Sequence, residues 1–594
     1  MGTVKMTLSF NGEEHFIEEG TLLSKACETA GYPQDLVCGG NGKCGKCACE
    51  ITDANSSGSV MACHYQIIGD ITVHRIHNLA NRKVNVLTSN TPLDCDIDPQ
   101  LRAMSVTVAD IAGSHCGGIT DTIKEKFHLL ADYSAMEPLS MNADSFEPES
   151  WLSLIIHKQR VIDVQPGANP QIYGMAIDIG TTTVACYIYD METAENVGVY
   201  SALNSQTAIG ADVISRIAYT IKNEGGVKTL QGMIVSTINS LLDLAEEDGI
   251  DTSKIYHVVL CGNSTMQHLF LGIYPANLGR APFVSLTRDF VEIDAQLTGL
   301  RLNPSAKATF LPLLGGFVGA DTTSVLISLP DDNKPRLVID LGTNGEIACG
   351  VANRYYVAST ACGPALEGAG LACGMRAAEG AIEHFHIIDK QVILKTITDS
   401  APTGICGSGI IDILAELIKN NVVNKRGKML SKDEYERKFG EDLLSARLEV
   451  VNEANAFILA SAEESGNGLA IYLSQHDVRQ IQLAKAAIAT GCSILVDLYG
   501  IAPGDLHEIC LSGAFGNYLD VHNAQFIGLL PNFEGVDVRS VGNGAGTGVQ
   551  MYLLDGSSVA KCRKVQKNSE HTELNFQKDF KDTYFDEMLF KNGK

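Results

Sequence analysis

The sequence predicts a multidomain α/β chain, and three observations carry that prediction. Its 594 residues exceed what one hydrophobic core organises, so three or four domains are expected. A strand, an aspartate and a Gly-Thr turn occur twice, 162 positions apart, at Ala176-Ile177-Asp178-Ile179-Gly180-Thr181-Thr182-Thr183-Val184 and at Leu337-Val338-Ile339-Asp340-Leu341-Gly342-Thr343-Asn344-Gly345-Glu346-Ile347. Six of the 17 cysteines fall within the first 63 residues, a crowding that asks for a metal. An odd cysteine count in a chain this long argues against a disulfide framework. The formal net charge of −25, with no basic run, excludes a nucleic-acid partner. With no apolar run of about 18 residues and no basic-then-apolar start, no membrane partner is expected and the location is read as cytoplasmic.

Taken in order, residues 3–9 and 14–18 alternate like two strands of a hairpin around Asn11-Gly12, and 21–30 reads as a capped helix. Strand, strand, helix and then a cysteine loop is a β-grasp opening. The loop places Cys38, Cys44 and Cys47 in a C-x5-C-x2-C pattern, with Cys63 following at a distance. Four such thiolates suit a [2Fe–2S] cluster, and the intervening glycines let backbone N–H groups turn toward the sulfurs. A structural zinc site is the competing reading, but it usually shows two close pairs. Cys49, beside Cys47, reads as a buried strand residue, and Cys27 as helix core. On these residues the domain 1–85 resembles a [2Fe–2S] ferredoxin of the longer-looped kind. Residues 86–98 cluster Ser, Asn, Thr and Pro as a linker does. Residues 99–172 read as a small middle domain with a helical pattern near 121–135 and the only tryptophan, Trp151. It carries no evident site chemistry, and the adjacent His115-Cys116 reads as ordinary structure.

In the repeated motif the glycine lets backbone approach an anion, the hydroxyls and N–H groups donate to it, and the aspartate can hold the accompanying cation. Asp178, Gly180, Thr181, Thr182 and Thr183 form the first copy; Asp340, Gly342, Thr343 and Asn344 form the second. A third element, Glu508 to Ser512 followed by Gly513-Ala514-Phe515-Gly516, is a strand ending in a turn flat enough to lie against adenosine. Further glycine turns lie at 260–265, at 315–320 just before Asp321, and at 404–409, where Gly407 and Ser408 open a helix. That helix start suits an anion or tight helix packing equally. Cys362 and Cys373 read as structural. Ser474 and Asp477 form a capping box for a helix, and Phe576, Phe580, Tyr584 and Met588 make a stripe for a helix docking on its own domain.

With these motifs in this order, 173–562 resembles the actin, sugar-kinase and heat-shock-protein superfamily. The resemblance implies two ribonuclease-H-like halves, about 173–330 and 331–562, closing on ATP, with Mg²⁺ held through water by Asp178 and Asp340 and a C-terminal segment 563–594. The whole chain, including Gly363-Pro364-Ala365-Leu366-Glu367 and the loop Cys406 to Gly409, resembles the reductive activators of corrinoid-dependent enzymes. That resemblance implies ATP-dependent, one-electron reduction of cob(II)alamin to cob(I)alamin through the cluster. It implies as partners a corrinoid protein or corrinoid-dependent methyltransferase and a low-potential electron donor, and it is compatible with a homodimer through the ATP domain. Other classes predict different chemistry. A small-molecule kinase with a regulatory ferredoxin needs an aspartate base, for which Asp321 is the best candidate. An activator of a radical dehydratase carries its cluster cysteines inside the ATP fold, and a docking module turns over no nucleotide.

Overall fold

A computed structural model of the chain describes residues 2–591, apart from 11, 31, 33, 35–46, 54–56, 77–92, 114–116, 146, 369, 514, 515 and 517. Strands Thr3–Leu8 and Glu13–Glu18 pair antiparallel, and the first pairs parallel with Ile71–Ile76 inside a five-stranded sheet covered by helix Leu23–Thr29. The alternation read from the sequence turns Met6, Leu8 and Ile17 inward, where they meet Cys27, Cys47, Cys49 and Cys63 in one small core. Cys38 and Cys44 lie outside the described residues.

The second half of the expected linker 86–98 is not a free connection. Leu93 and Cys95 pack against the large core that follows. Asp98 donates its N–H to Leu554 O at 2.9 Å and accepts from Gly556 N at 2.8 Å. Two apolar side chains within a Ser, Asn, Thr and Pro cluster were enough to seat it. Beyond lies a four-stranded sheet in the order Leu101–Thr107, Trp151–His157, Arg160–Pro166, Leu130–Ala131. The helical pattern near 121–135 is two helices, Ile119–Phe127 and Tyr133–Ser145, because the chain turns left-handed at His128, φ 58°. This unit joins its neighbour through polar contacts as well: Tyr256 donates its hydroxyl to Asp163 at 2.7 Å, and the buried rings of His157 and His257 lie 4.4 Å apart.

Two similar sheets follow. In the first, the antiparallel run Tyr173–Ile179, Thr183–Asp190, Asn196–Leu203 is extended on the other side of its first strand by Ile255–Gly262 and then Lys307–Phe310, both parallel to it. The second repeats this with Arg336–Leu341, Gly345–Val351, Arg354–Thr360, then Glu508–Ser512 and Asp537–Gly542. This order is the ribonuclease-H-like arrangement, present twice. Its central strands are near-continuous apolar runs because helices cover both faces of each sheet. Helices Ala320–Ser328 and Gly544–Leu554, one from each half, cross so closely that a Cβ on Gly548 would lie 1.9 Å from Ser324 O.

Helix Gln475–Tyr499 begins at the expected box, with Ser474 Oγ accepting from Asp477 N and Asp477 Oδ2 accepting from Ser474 N at 2.9 Å. By length and composition it is the one described helix that could cross a membrane, and 72% of its apolar window is buried in the second half. The expected separate segment from 563 is not separate: helix Ser558–Asn568 spans that boundary and buries Cys562 and Val565 in the core of the first half, and Ser569–His571 adds an edge strand beside Arg354–Thr360. Phe580, Tyr584 and Met588 dock as expected. Phe576 does not; the chain is extended at Gln577, which breaks the stripe and leaves Phe576 76% exposed.

Candidate functional site

The C-terminal ends of the two central strands face one cleft of about 220 Å³. Asp178 and Asp340 line it from opposite halves, with Gly180, Thr181, Thr182 and Thr183 on one side and Gly342, Thr343, Asn344 and Gly513 on the other. Each aspartate is in register with a small polar residue on the neighbouring parallel strand, Asp178 with Cys261 and Asp340 with Ser512. Cys261 Sγ donates to Asp178 Oδ1 at 3.7 Å. Gly513 has φ +97°, and a Cβ there would come 3.2 Å from Asp340 Oδ1. Ala514 and Phe515 lie outside the described residues. Gly516 packs near Leu511 behind the turn. Gly407 and Ser408 do not line the cleft; they begin helix Gly407–Lys419, which packs on strand Ala381–Ile388, where a Cβ on Gly409 would meet Ile382 O at 2.1 Å. Tight packing is the reading that geometry favours for this turn.

Five further polar residues complete the lining. Asn263 caps helix Ser264–Phe270, its Oδ1 accepting from Met266 N at 3.0 Å, which turns its Nδ2 onto Thr181 Oγ1 at 2.9 Å. Asn543 does the same for helix Gly544–Leu554: Oδ1 accepts from Gly546 N at 2.9 Å, and Nδ2 donates to Asp178 Oδ2 at 3.1 Å. In both cases the cap fixes which way the amide faces. Asp321 stands in the first turn of helix Ala320–Ser328, Glu346 lies directly across the hairpin from Asp340, and Glu367 accepts from Thr343 Oγ1 at 2.8 Å. Glu346 accepts from Ser359 Oγ at 3.1 Å. Asn543 and Glu346 are the residues that motif reading missed. Gly542-Asn543-Gly544 after a strand repeats the signal of Gly262-Asn263, and the short hairpin turn puts Glu346 opposite Asp340.

Five carboxyl groups therefore share one cleft, and among the described residues no lysine or arginine lines it. Each keeps a face on the cleft but sits deep in the protein. Burial lifts the Asp340 carboxyl to about 6, with the charges of Asp178 and Glu367 adding to it. Burial lifts Asp321 to about 7, helped by Asp340 and Asp178 and opposed by the Thr322 N–H that donates to it at 2.7 Å. Glu346 is held well above the carboxylate range by burial and then by Asp321 and Asp340. Asp178 is also raised by burial, while Asn543 and Cys261 favour its charged form. Such an excess of carboxyl groups draws positive charge to the cleft. Among the described residues no three such groups converge closely enough to hold a metal ion.

In the N-terminal sheet, Cys47 and Cys63 bring their Sγ atoms to 3.1 Å, both buried. The two thiols are close neighbours on one side of the sheet. Cys49 is fully buried in strand Ala48–Asp53 and accepts from Gln34 Nε2 at 3.2 Å.

Residues 334–594 match the family model described as the C-terminal domain of RACo, the ASKHA domain, and residues 173–330 match the RACo middle region. The corrinoid activation enzyme RamQ of Eubacterium limosum is 41% identical over 588 residues, 97% of this chain and 98% of that protein. A Co(II) methylated amine-specific corrinoid protein reductase of Methanosarcina barkeri is 24% identical over 454 residues, 70% of this chain and 77% of its own length. The solved structure of a reductive activator for a corrinoid, iron-sulfur protein superposes with a TM-score of 0.75 at 27% identity, covering 100% of this chain and 99% of that one. The chain thus belongs to the family of corrinoid-activating enzymes that carry a RACo middle region and a C-terminal ASKHA domain.

Proposed function

We propose that the chain is a cytoplasmic, ATP-hydrolysing activase that reduces the Co(II) corrinoid of a partner protein by one electron, through a [2Fe–2S] cluster on Cys38, Cys44, Cys47 and Cys63. The observation that carries this reading is the pairing, in one chain, of a sulfur pair 3.1 Å apart with a cation-demanding cleft between two ribonuclease-H-like halves. A bound cluster supplies a one-electron carrier, and bound Mg²⁺ supplies the positive charge that the triphosphate and the carboxylates need. Asp178 and Asp340 would hold Mg²⁺ through water. Thr181 to Thr183 and Gly342 to Asn344 cradle the phosphates from opposite halves, and the Gly513 turn takes the adenosine side. As the catalytic pair, Asp178 and Asp340 would polarise the water used in hydrolysis.

Downhill transfer needs no ATP, so the nucleotide must serve an uphill step. Each 100 mV by which the acceptor lies below the donor opposes a one-electron transfer by about 2.3 kcal/mol. Nucleotide at ~1,000-fold above its Kd biases a conformational equilibrium by about 4 kcal/mol. The scales agree, so ATP binding can stabilise the complex in which the corrinoid accepts the electron, and hydrolysis can release it. The test combines the protein, a low-potential reductant and a corrinoid protein, and follows the cob(I)alamin absorbance with and without ATP. Equal formation without nucleotide defeats the coupling. Phosphorylation of a small molecule in the same mixture would favour a kinase with Asp321 as base.

A further inference from the structure

The first phosphate loop is held from behind by an arginine that, among the described residues, has no acid to pair with. Arg216, in helix Val213–Lys222, is fully buried. Its Nε donates to Gly210 O at 2.9 Å and its Nη1 to Gln206 Oε1 at 2.9 Å, with Met266 Sδ at 3.3 Å. Its Nη2 donates to the carbonyl of Thr181. All four acceptors are neutral. Asp212, the acid that acts on it through space, spends its carboxylate capping the same helix, accepting from Ser215 N at 2.9 Å and Ser215 Oγ at 2.7 Å. Burial pulls the guanidinium down to about 9, still charged at neutral pH. A buried cation without a counter-charge is expensive, and its placement calls for a use.

The loop's other carbonyls are drawn to the same side. Asn204, fully buried, donates Nδ2 to Gly180 O at 2.9 Å and its backbone N–H to Thr182 O at 2.8 Å. In a trans peptide the N–H points opposite to the C=O. With the Gly180 and Thr181 carbonyls tied back, the N–H groups of Thr181 and Thr182 turn to the cleft, and neither has an acceptor among the described residues. The second loop lacks this support: among the described residues its Gly342 and Thr343 carbonyls meet only the Cys362 thiol, at 3.8 and 3.7 Å.

We propose that Arg216 is a positioning residue for the phosphates: it orients the Thr181–Thr182 peptide as an anion-binding N–H and places a positive charge behind a loop whose cleft is otherwise acidic. This rests on reading the cleft as an ATP site. The test measures binding of Mg-ATP and of adenosine to the full chain for the wild type, Arg216→Met and Arg216→Lys. The expected result is an ATP-to-adenosine affinity ratio lowered about ten- to hundredfold in Arg216→Met, the scale of one lost charge-assisted hydrogen bond, and lowered less in Arg216→Lys. A merely structural role lowers both ligands together and leaves the ratio unchanged, which overturns the proposal. Should Arg216→Met fail to fold, Arg216→Lys decides alone: an unchanged ratio overturns it. A wild type that binds no Mg-ATP overturns the site reading itself, a result distinct from an unchanged ratio.

Discussion

Asp340→Asn should separate what the cleft costs from what it does. The Asp340 carboxyl rises from 3.8 to about 6 on folding. A shift of that size is about 3 kcal/mol at most, with cleft water screening part of it. The folded-state value lies above the unfolded one, so the stability Asp340 contributes is complete below about pH 4 and is lost as pH rises through about 6. At pH 7 the ionised group is a net liability, and the isosteric amide removes it. Asp340→Asn is therefore expected to stabilise the metal-free ATP domain by about 1–3 kcal/mol at pH 7, by about half of that at pH 5 and hardly at all below about pH 3. It should also abolish ATP hydrolysis and any stabilisation by Mg-ATP. The assay is denaturant unfolding of that domain at these pH values, with and without Mg-ATP, beside a phosphate-release assay. A variant less stable at pH 7, or equally stabilised at all of these pH values, refutes the electrostatic account of the cleft.

Asn543 performs two separable tasks. Asn543→Asp keeps a capping oxygen but sets a carboxylate against Asp178, so ATPase kcat/KM should fall at least about tenfold with folding retained. Asn543→Ala also loses the cap, which urea unfolding should register as about 1 kcal/mol. In the N-terminal sheet, Cys47→Ala should abolish the visible and electron-paramagnetic signature of the cluster while Mg-ATP binding stays within about twofold. Cys49→Ala should retain that signature; its loss would make Cys49 a ligand and refute the assignment to the core.

Much of the architecture is legible because its signals are local. Apolar strands ending in Asp-x-Gly-Thr, the box at Ser474 and Asp477, and the alternation of residues 3–18 each specify their own geometry within a few residues. What escaped depends on pairing at a distance. Asn543 meets Asp178, 365 positions away, only because helix Gly544–Leu554 returns to pack in the core of the first half. Arg216 reads in the sequence as a charged residue on an amphipathic helix, and only the fold turns it inward onto Thr181. The glycine turn at 404–409 illustrates the opposite error: the composition of an anion site served the close approach of a helix to a strand. Leu93 and Cys95 were hidden by their polar neighbours, since a linker's composition does not say whether its few apolar side chains find a core.

The seating of Asp98 has a mechanical corollary. Helix Gly544–Leu554 is 11 residues long, about 16 Å. At one end its cap, Asn543, grips Asp178 in the nucleotide cleft; at the other, the chain at Leu554 and Gly556 grips Asp98, among the first described residues after the cluster-bearing sheet. A helix transmits thrust without shortening. The start of the middle unit and the floor of the cleft are thus tied to the two ends of a single helix.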